Sequence, residues 1–209
     1  MSFKGLLLDF DNTIIGTENS NYQIFQDTIS GLVGRELTKE DSKNFAGCTW
    51  KCIFERLNSL YLPDMSPTDI RKIFVDAKIE YFKGKSVALA NGLNRLLDLD
   101  IKTAIVTGSS LPEVEMFDHV IDFRKFDLIV TDELYEKGKP EPDAYIYAIE
   151  QLGLKPSECI AVEDSQIGII SATRARATTV FTREFAHDDH SGIADYTVDT
   201  MGDVEKLLI

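Results

Sequence analysis

Near the N-terminus an apolar run, Leu6-Leu7-Leu8, ends abruptly in Asp9-Phe10-Asp11-Asn12-Thr13. Residues i and i+2 of an extended chain point to the same side. Asp9 and Asp11 are therefore expected to face one point where the strand runs out. Two carboxylates held that close repel unless a proton or a cation joins them. A hard divalent ion such as Mg2+, which prefers oxygen ligands, would satisfy the pair. Taken alone, the same pattern also describes a strand ending in a solvated acidic turn.

Three later segments add to it. Ala104-Ile105-Val106 runs into Thr107-Gly108-Ser109-Ser110 and then Leu111-Pro112-Glu113. Proline fits the first turn of a helix and serine its N-cap, and a hydroxyl with free amides there makes a phosphate cradle. On its own the segment is equally a capped helix. Lys137-Gly138-Lys139-Pro140-Glu141-Pro142-Asp143 is stiffened by two prolines that flank a glutamate. A lysine fixed on such a loop differs from a solvated one: at ~4 Å and an effective dielectric of about 20, its charge contributes on the order of 4 kcal/mol beside an anion. Last comes Val162-Glu163-Asp164-Ser165, with Gly168 three residues on. Its adjacent carboxylates could complete an oxygen site begun by Asp9 and Asp11.

The pattern of apolar residues indicates what positions these groups. A buried strand is expected over residues 4–9. From residue 18 to about 84 the spacing is helical: Tyr22, Phe25, Ile29 and Leu32, then Ile53, Leu57, Leu60 and Tyr61, then Ile70, Ile73, Phe74, Ala77 and Tyr81. Gly34, Gly47, Pro63 and Pro67 punctuate this stretch into about four helices, with no strand among them. Beyond Gly84, strands over 103–106, 127–130, 159–162, 178–181 and 196–198 alternate with helices around Leu93–Leu97 and over 112–120, 143–152, 167–174 and 204–208. Such alternation predicts an α/β fold with a parallel sheet covered on both faces. Ligands of such folds gather beyond the carboxyl ends of the strands, where every motif above falls.

With 209 residues and 44% hydrophobic content, the chain suffices for an α/β core plus a smaller domain. Its net charge of −13 argues against nucleic acid or an anionic membrane as partner, because the overall field repels polyanions. Capture of a small phosphorylated substrate would need local cations. No basic start followed by a long apolar run suggests a signal peptide. Cys48, Cys52 and Cys159 follow no disulfide framework and no zinc spacing, so reduced thiols and a cytoplasmic location are expected. His119, His187 and His190 match no motif.

In order and spacing, the four motifs resemble the haloacid dehalogenase-like (HAD) superfamily, specifically its phosphatase and β-phosphoglucomutase-like branch. The resemblance covers nearly the whole chain. It implies a Rossmann-like parallel core over residues 1–16 and 86–209, with a helical cap domain inserted over 17–85. It also implies a Mg2+-dependent phosphatase acting on a small phosphorylated metabolite through an aspartyl-phosphate. Asp9 would be the nucleophile, and Asp11 the general acid and then base. Thr107, the Gly108 amide and Lys139 would hold the phosphoryl oxygens. Mg2+ would be bound by Asp9, the backbone carbonyl of Asp11, Glu163 and Asp164. Family members that cleave carbon–halogen or carbon–phosphorus bonds lack an aspartate at the position of Asp11.

Residues 45–51 resemble the cap loop that selects substrate in this branch, which singles out Gly47, Thr49, Trp50 and Lys51. Trp50 could stack on a substrate or pack within the cap, and Lys51 and Arg56 could meet an anion or water. The chain crosses into the cap at Glu18-Asn19 and back between Gly84 and Gly92, the expected hinge of closure. Mutase relatives carry a basic residue before the loop glycine, where this chain has Ala46. A phosphomutase is the alternative activity, and a non-catalytic binding module on the same fold a third reading. Asn12 replaces the usual glycine and is expected to take a left-handed backbone. Arg176 stands where relatives have glycine, which calls for a positive φ or a different helix stop.

Overall fold

Six short strands, Gly5–Leu8 (β1), Lys102–Val106 (β2), Leu128–Val130 (β3), Cys159–Glu163 (β4), Thr178–Thr182 (β5) and Tyr196–Val198 (β6), form one sheet in a computed structural model of the chain. The structure describes residues 3–45, 48 and 50–208, with Glu18 and Asn19 by backbone alone. The strand order is β3-β2-β1-β4-β5-β6, and every pairing is parallel. β1 is central: Leu7 lies opposite Ala104 of β2 on one side and Ala161 of β4 on the other. A strand in that position is buried on both faces and must be apolar throughout. Leu6, Leu7 and Leu8 accordingly have no exposed surface. From β1 the order runs to β2 and β3 one way and to β4, β5 and β6 the other. The carboxyl ends of β1 and β4 therefore flank the point where strand order reverses, a ligand-binding position in this architecture.

The helices are Glu18–Val33 (α1), Lys39–Lys43 (α2), Trp50–Leu60 (α3), Pro67–Phe82 (α4), Leu93–Leu97 (α5), Leu111–Glu115 (α6), Asp143–Gln151 (α7), Gln166–Arg174 (α8) and Glu205–Leu208 (α9). By its internal contacts the chain divides after Glu18 and after Lys85 into two compact units. The α/β unit holds the sheet and α5–α9. α7 and α8 bury Ala144, Tyr145, Ala148, Ile149 and Ala172 against Leu7, Ala104, Val106 and Ala161. Within this unit the segments at both chain crossings are stitched together: the Gly16 amide donates to the Ala88 carbonyl and the Ala90 amide to the Ile14 carbonyl.

The other unit consists of α1–α4, with no strand among its described residues. Phe25, Phe45, Trp50, Phe54 and Phe74 form a ring cluster in it, with centroids 4.8–6.1 Å apart. Beside them Asp41 ties α2 to its surroundings through Arg35, Thr38 and Tyr61.

α6 is shorter than predicted. The helix expected over 112–120 ends at Glu115, and the chain continues in turns closed by Phe117 to Val114, Asp118 to Glu115 and Val120 to Phe117 bonds. This tighter path sets Phe117 against Phe10, centroids 5.9 Å apart, in the core. Asn12 has φ 57° and Arg176 φ 64°, the left-handed conformations that each position requires.

Candidate active site

β1 stops at Leu8, and the chain turns at once. The Ile14 and Ile15 amides both donate to the Phe10 carbonyl, and Asn12 supplies the left-handed residue. The Asp9 amide still donates to the Val162 carbonyl before the chain bends, and the two carboxylates take different partners although Asp11 lies near enough to raise the proton affinity of Asp9. Asp9 Oδ1 accepts from Lys139 Nζ at 2.5 Å. Asp11 instead accepts from Thr17 Oγ1 at 2.7 Å and from Ser109 Oγ at 2.8 Å. Asn12 Oδ1 accepts from the Thr17 amide and braces the same turn.

Lys139 is buried, and its ammonium meets three acceptors: Asp9 Oδ1, Glu163 Oε1 at 2.6 Å and the Val106 carbonyl at 3.0 Å. Pro140 follows it through a cis peptide, and the ammonium's bond to the Val106 carbonyl sets it at the end of β2. Lys137, two residues away, is exposed. Sequence spacing alone separates these two lysines only by the proline that follows Lys139.

Glu163 and Asp164 are adjacent yet differently placed. Glu163 is 1% exposed, and its Oε1 accepts from Tyr145 as well as Lys139, while Oε2 accepts from Ser165. Its room comes from Gly168: a Cβ there would lie 2.0 Å from the carboxylate. Asp164 remains partly exposed and accepts from Thr13 Oγ1 at 3.4 Å. Asp9, Glu163 and Asp164 each offer an oxygen within 4.8 Å of the others. The Asp11 side chain is not a member of this group.

Three carboxylates against one ammonium leave the cluster two negative charges in excess when all are ionised. The strain registers in their proton affinities. Burial, and then the neighbouring Glu163, push Asp9 up to about 7 despite the opposing pull of Lys139. Asp164 is raised well above the carboxylate range by burial, Asp9 and Glu163. For Lys139 burial acts downward, but Asp9 and Glu163 outweigh it and hold the ammonium above the usual lysine value. A hard dication would cancel the excess and relieve both aspartates, and an all-oxygen donor set suits it. Asp164 is partly exposed and Asp9 engages Lys139 through Oδ1, whereas Glu163 already serves Lys139, Tyr145 and Ser165.

The turn after β2 lies at the same edge of the sheet. Thr107 is buried, its Oγ1 accepting from the Ser109 amide, while Gly108 is exposed. Ser110 caps α6, its amide and hydroxyl both donating to Glu113. The 3-10 turn Asp132–Leu134 and the residue after it brace this loop from behind. Tyr135 Oη donates to the Thr107 carbonyl, the Asp132 amide to the Ser109 carbonyl and the Leu111 amide to Glu133.

Of the substrate-selecting residues expected in the helical unit, Gly47 and Thr49 lie outside the described residues. Trp50 is 36% exposed and packs on Phe25, Phe54 and Phe74, so its ring belongs to the unit's own aromatic cluster. Lys51 is exposed, and Arg56 donates to the Asn44 carbonyl.

Sequence reading did not single out Thr17, Ser109 as a partner of Asp11, or Tyr145. Tyr145 carried a legible signal, being a hydroxyl on an otherwise apolar helix face (Ala144, Ala148, Ile149), where a buried phenol needs a partner. Thr17 carried none, because only the turn at Asn12 brings it back to Asp11.

With this geometry in hand, comparison with known proteins is specific. The model of a family described as haloacid dehalogenase-like hydrolase matches residues 6–182. Protein CbbY of Rhodobacter capsulatus is 28% identical over 213 residues, covering 95% of this chain and 93% of its own. Hexitol phosphatase A of Escherichia coli is 38% identical over 90 residues, 43% of this chain and 40% of its own. A crystal structure of a CbbY mutant from Rhodobacter sphaeroides, in complex with xylulose-(1,5)-bisphosphate, superposes with a TM-score of 0.83 at 21% identity over 96% of both chains. At that identity the likeness concerns the fold. No helix among the described residues is long and apolar enough to cross a membrane.

Proposed function

Because the chain belongs to the haloacid dehalogenase-like hydrolases, we propose that it is a Mg2+-dependent phosphatase that hydrolyses a small phosphorylated metabolite through an aspartyl-phosphate. The observation that carries this reading is the split between the two N-terminal aspartates. Asp9 sits in the anionic cluster against Lys139, while Asp11, near enough to act on Asp9, takes the hydroxyls of Thr17 and Ser109 as its partners. A nucleophile and an acid–base group need such different environments.

Asp9 attacks phosphorus, forming an oxygen–phosphorus bond as the ester bond to the leaving alcohol breaks. Asp11 gives the alcohol its proton. A water molecule then attacks the phosphoryl group, Asp11 takes the water's proton, and inorganic phosphate leaves as Asp9 is regenerated. Thr107, the Gly108 amide and Lys139 hold the phosphoryl oxygens, where charge gathers in the transition state. Asp9, Asp164 and the Asp11 carbonyl, with Glu163 behind them, are the groups that would hold Mg2+. When bound, the ion screens an anionic nucleophile from an anionic ester. The helical unit takes the role of a cap that selects substrate.

The test is turnover of a panel of phosphate esters with Mg2+ and with EDTA, beside an Asp9→Asn control. The names of the hexitol phosphatase and of the bisphosphate complex put phosphorylated sugars first in that panel. Mg2+-dependent phosphate release that vanishes in the control is the expected result. No turnover above the control on any ester contradicts the reading, and a phosphorylated isomer in place of free phosphate would identify a phosphomutase instead.

A further inference from the structure

We propose that Tyr145 is a positioning residue: acting through Glu163, it sets how much of the Lys139 charge remains for the phosphoryl group. The inference rests on the phosphatase reading above. Tyr145 lies on the buried face of α7 with no exposed surface. Its hydroxyl donates to Glu163 Oε1 at 2.6 Å, the same oxygen that Lys139 Nζ reaches at 2.6 Å. The ammonium stands 5.2 Å from the Tyr145 ring centroid.

An ammonium has three hydrogens, and Lys139 meets three acceptors in Asp9, Glu163 and the Val106 carbonyl. A phosphoryl oxygen reaches Lys139 only in competition with them. Asp9 is itself the reacting group. Glu163 is the fixed competitor, buried, held by Ser165 on its other oxygen and backed closely by Gly168. A phenol that donates to Oε1 takes up part of the charge that Glu163 would otherwise direct at Lys139. Tyr145→Phe keeps the ring and its packing and removes only that donor. Lys139 would then be drawn toward Glu163, away from Asp9 and the incoming ester, with the largest penalty in the transition state, where oxygen charge peaks.

The experiment compares wild type, Tyr145→Phe, Glu163→Gln and the double variant, each checked for folding by its melting curve. It reads kcat and KM on the best ester of the panel, together with the Lys139 Nζ magnetic resonance signal, assigned by its loss in Lys139→Arg. Tyr145→Phe is expected to lower kcat on the order of tenfold, as outer partners of a site do, with KM changed less. In the Glu163→Gln background the same change is expected to cost less than about twofold, because its route is gone. The Lys139 signal should move in Tyr145→Phe.

A purely structural tyrosine would lower the melting temperature and leave kcat of the folded enzyme intact. With an active wild type, kcat within about twofold in Tyr145→Phe, or an equal loss in both backgrounds, overturns the proposal whatever the resonance does. If the wild type turns over no ester, the phosphatase reading falls, and the resonance alone decides: a shifted Lys139 signal supports the positioning role and an unmoved one rejects it.

Discussion

Asp9 in the α/β unit and Asp41 in the helical unit are equally little exposed, 8% each, yet their proton affinities move in opposite directions. Asp41 accepts from both terminal nitrogens of Arg35, from the Thr38 amide and hydroxyl, and from Tyr61. Those donors, the guanidinium first, hold its carboxyl far below the usual range. Asp9 shares a single lysine with Glu163 and has Asp164 beside it, and burial with that company lifts it to about 7. Exposure alone is thus not what separates them: burial is the largest cause of the rise at Asp9 and the smallest influence at Asp41, where the donors prevail. A carboxylate supplied with donors holds a fold together, whereas one left short of positive charge is poised to accept it from outside.

The largest effect that probes this contrast is at Lys139. Lys139→Ala is expected to lower kcat about a hundred- to a thousandfold, as loss of an oxyanion donor does. Lys137→Ala, an exposed control, should stay near wild type, and equal losses would mean that the wrong lysine has been placed in the cluster. Gly168→Ala comes next. Its Cβ would lie 2.0 Å from the Glu163 carboxylate, so Glu163 must shift, at a cost of about 1–3 kcal/mol in denaturant unfolding together with reduced turnover.

The two aspartates should also differ in sign along pH. The Asp41 network stabilises above the unfolded carboxylate value near 4, and its contribution is lost as pH falls through that value toward the depressed folded one. Asp9 is raised, so in EDTA its ionisation disfavours folding increasingly as pH climbs from about 4 to about 7. Melting curves of wild type against Asp41→Asn should converge in acid. Those against Asp9→Asn should diverge toward neutral pH, the variant becoming relatively more stable. Matching trends for the two would erase the comparison. The smallest effect is at Arg176, where glycine relieves a φ of 64° and should stabilise by about 1 kcal/mol in the same unfolding experiment.

Much of this was legible beforehand because it depends on short-range pattern. The all-apolar Leu6-Leu7-Leu8 marks a buried strand, and Asn12 a left-handed turn. The site was legible as four segments, since each motif sits at a strand end and a parallel sheet brings such ends to one edge. What escaped depends on contacts across the fold. Asp9 and Asp11 take different partners, Lys139 for one and two hydroxyls for the other, which apolar pattern does not set. Thr17 and Ser109 meet Asp11 from positions 6 and 98 residues away in sequence. Trp50 was open between substrate and core because its type suits both, and only the rings of Phe25, Phe54 and Phe74 place it.

The charge deficit around Asp9 is tested most directly by the melting temperature of the protein as Mg2+ is added. A ligand that binds only the folded form raises it in step with concentration. Wild type should gain stability with Mg2+ and lose the gain on adding EDTA, while Asp164→Asn should respond little. A wild type indifferent to saturating Mg2+, or an Asp164→Asn variant that responds equally, would contradict the account.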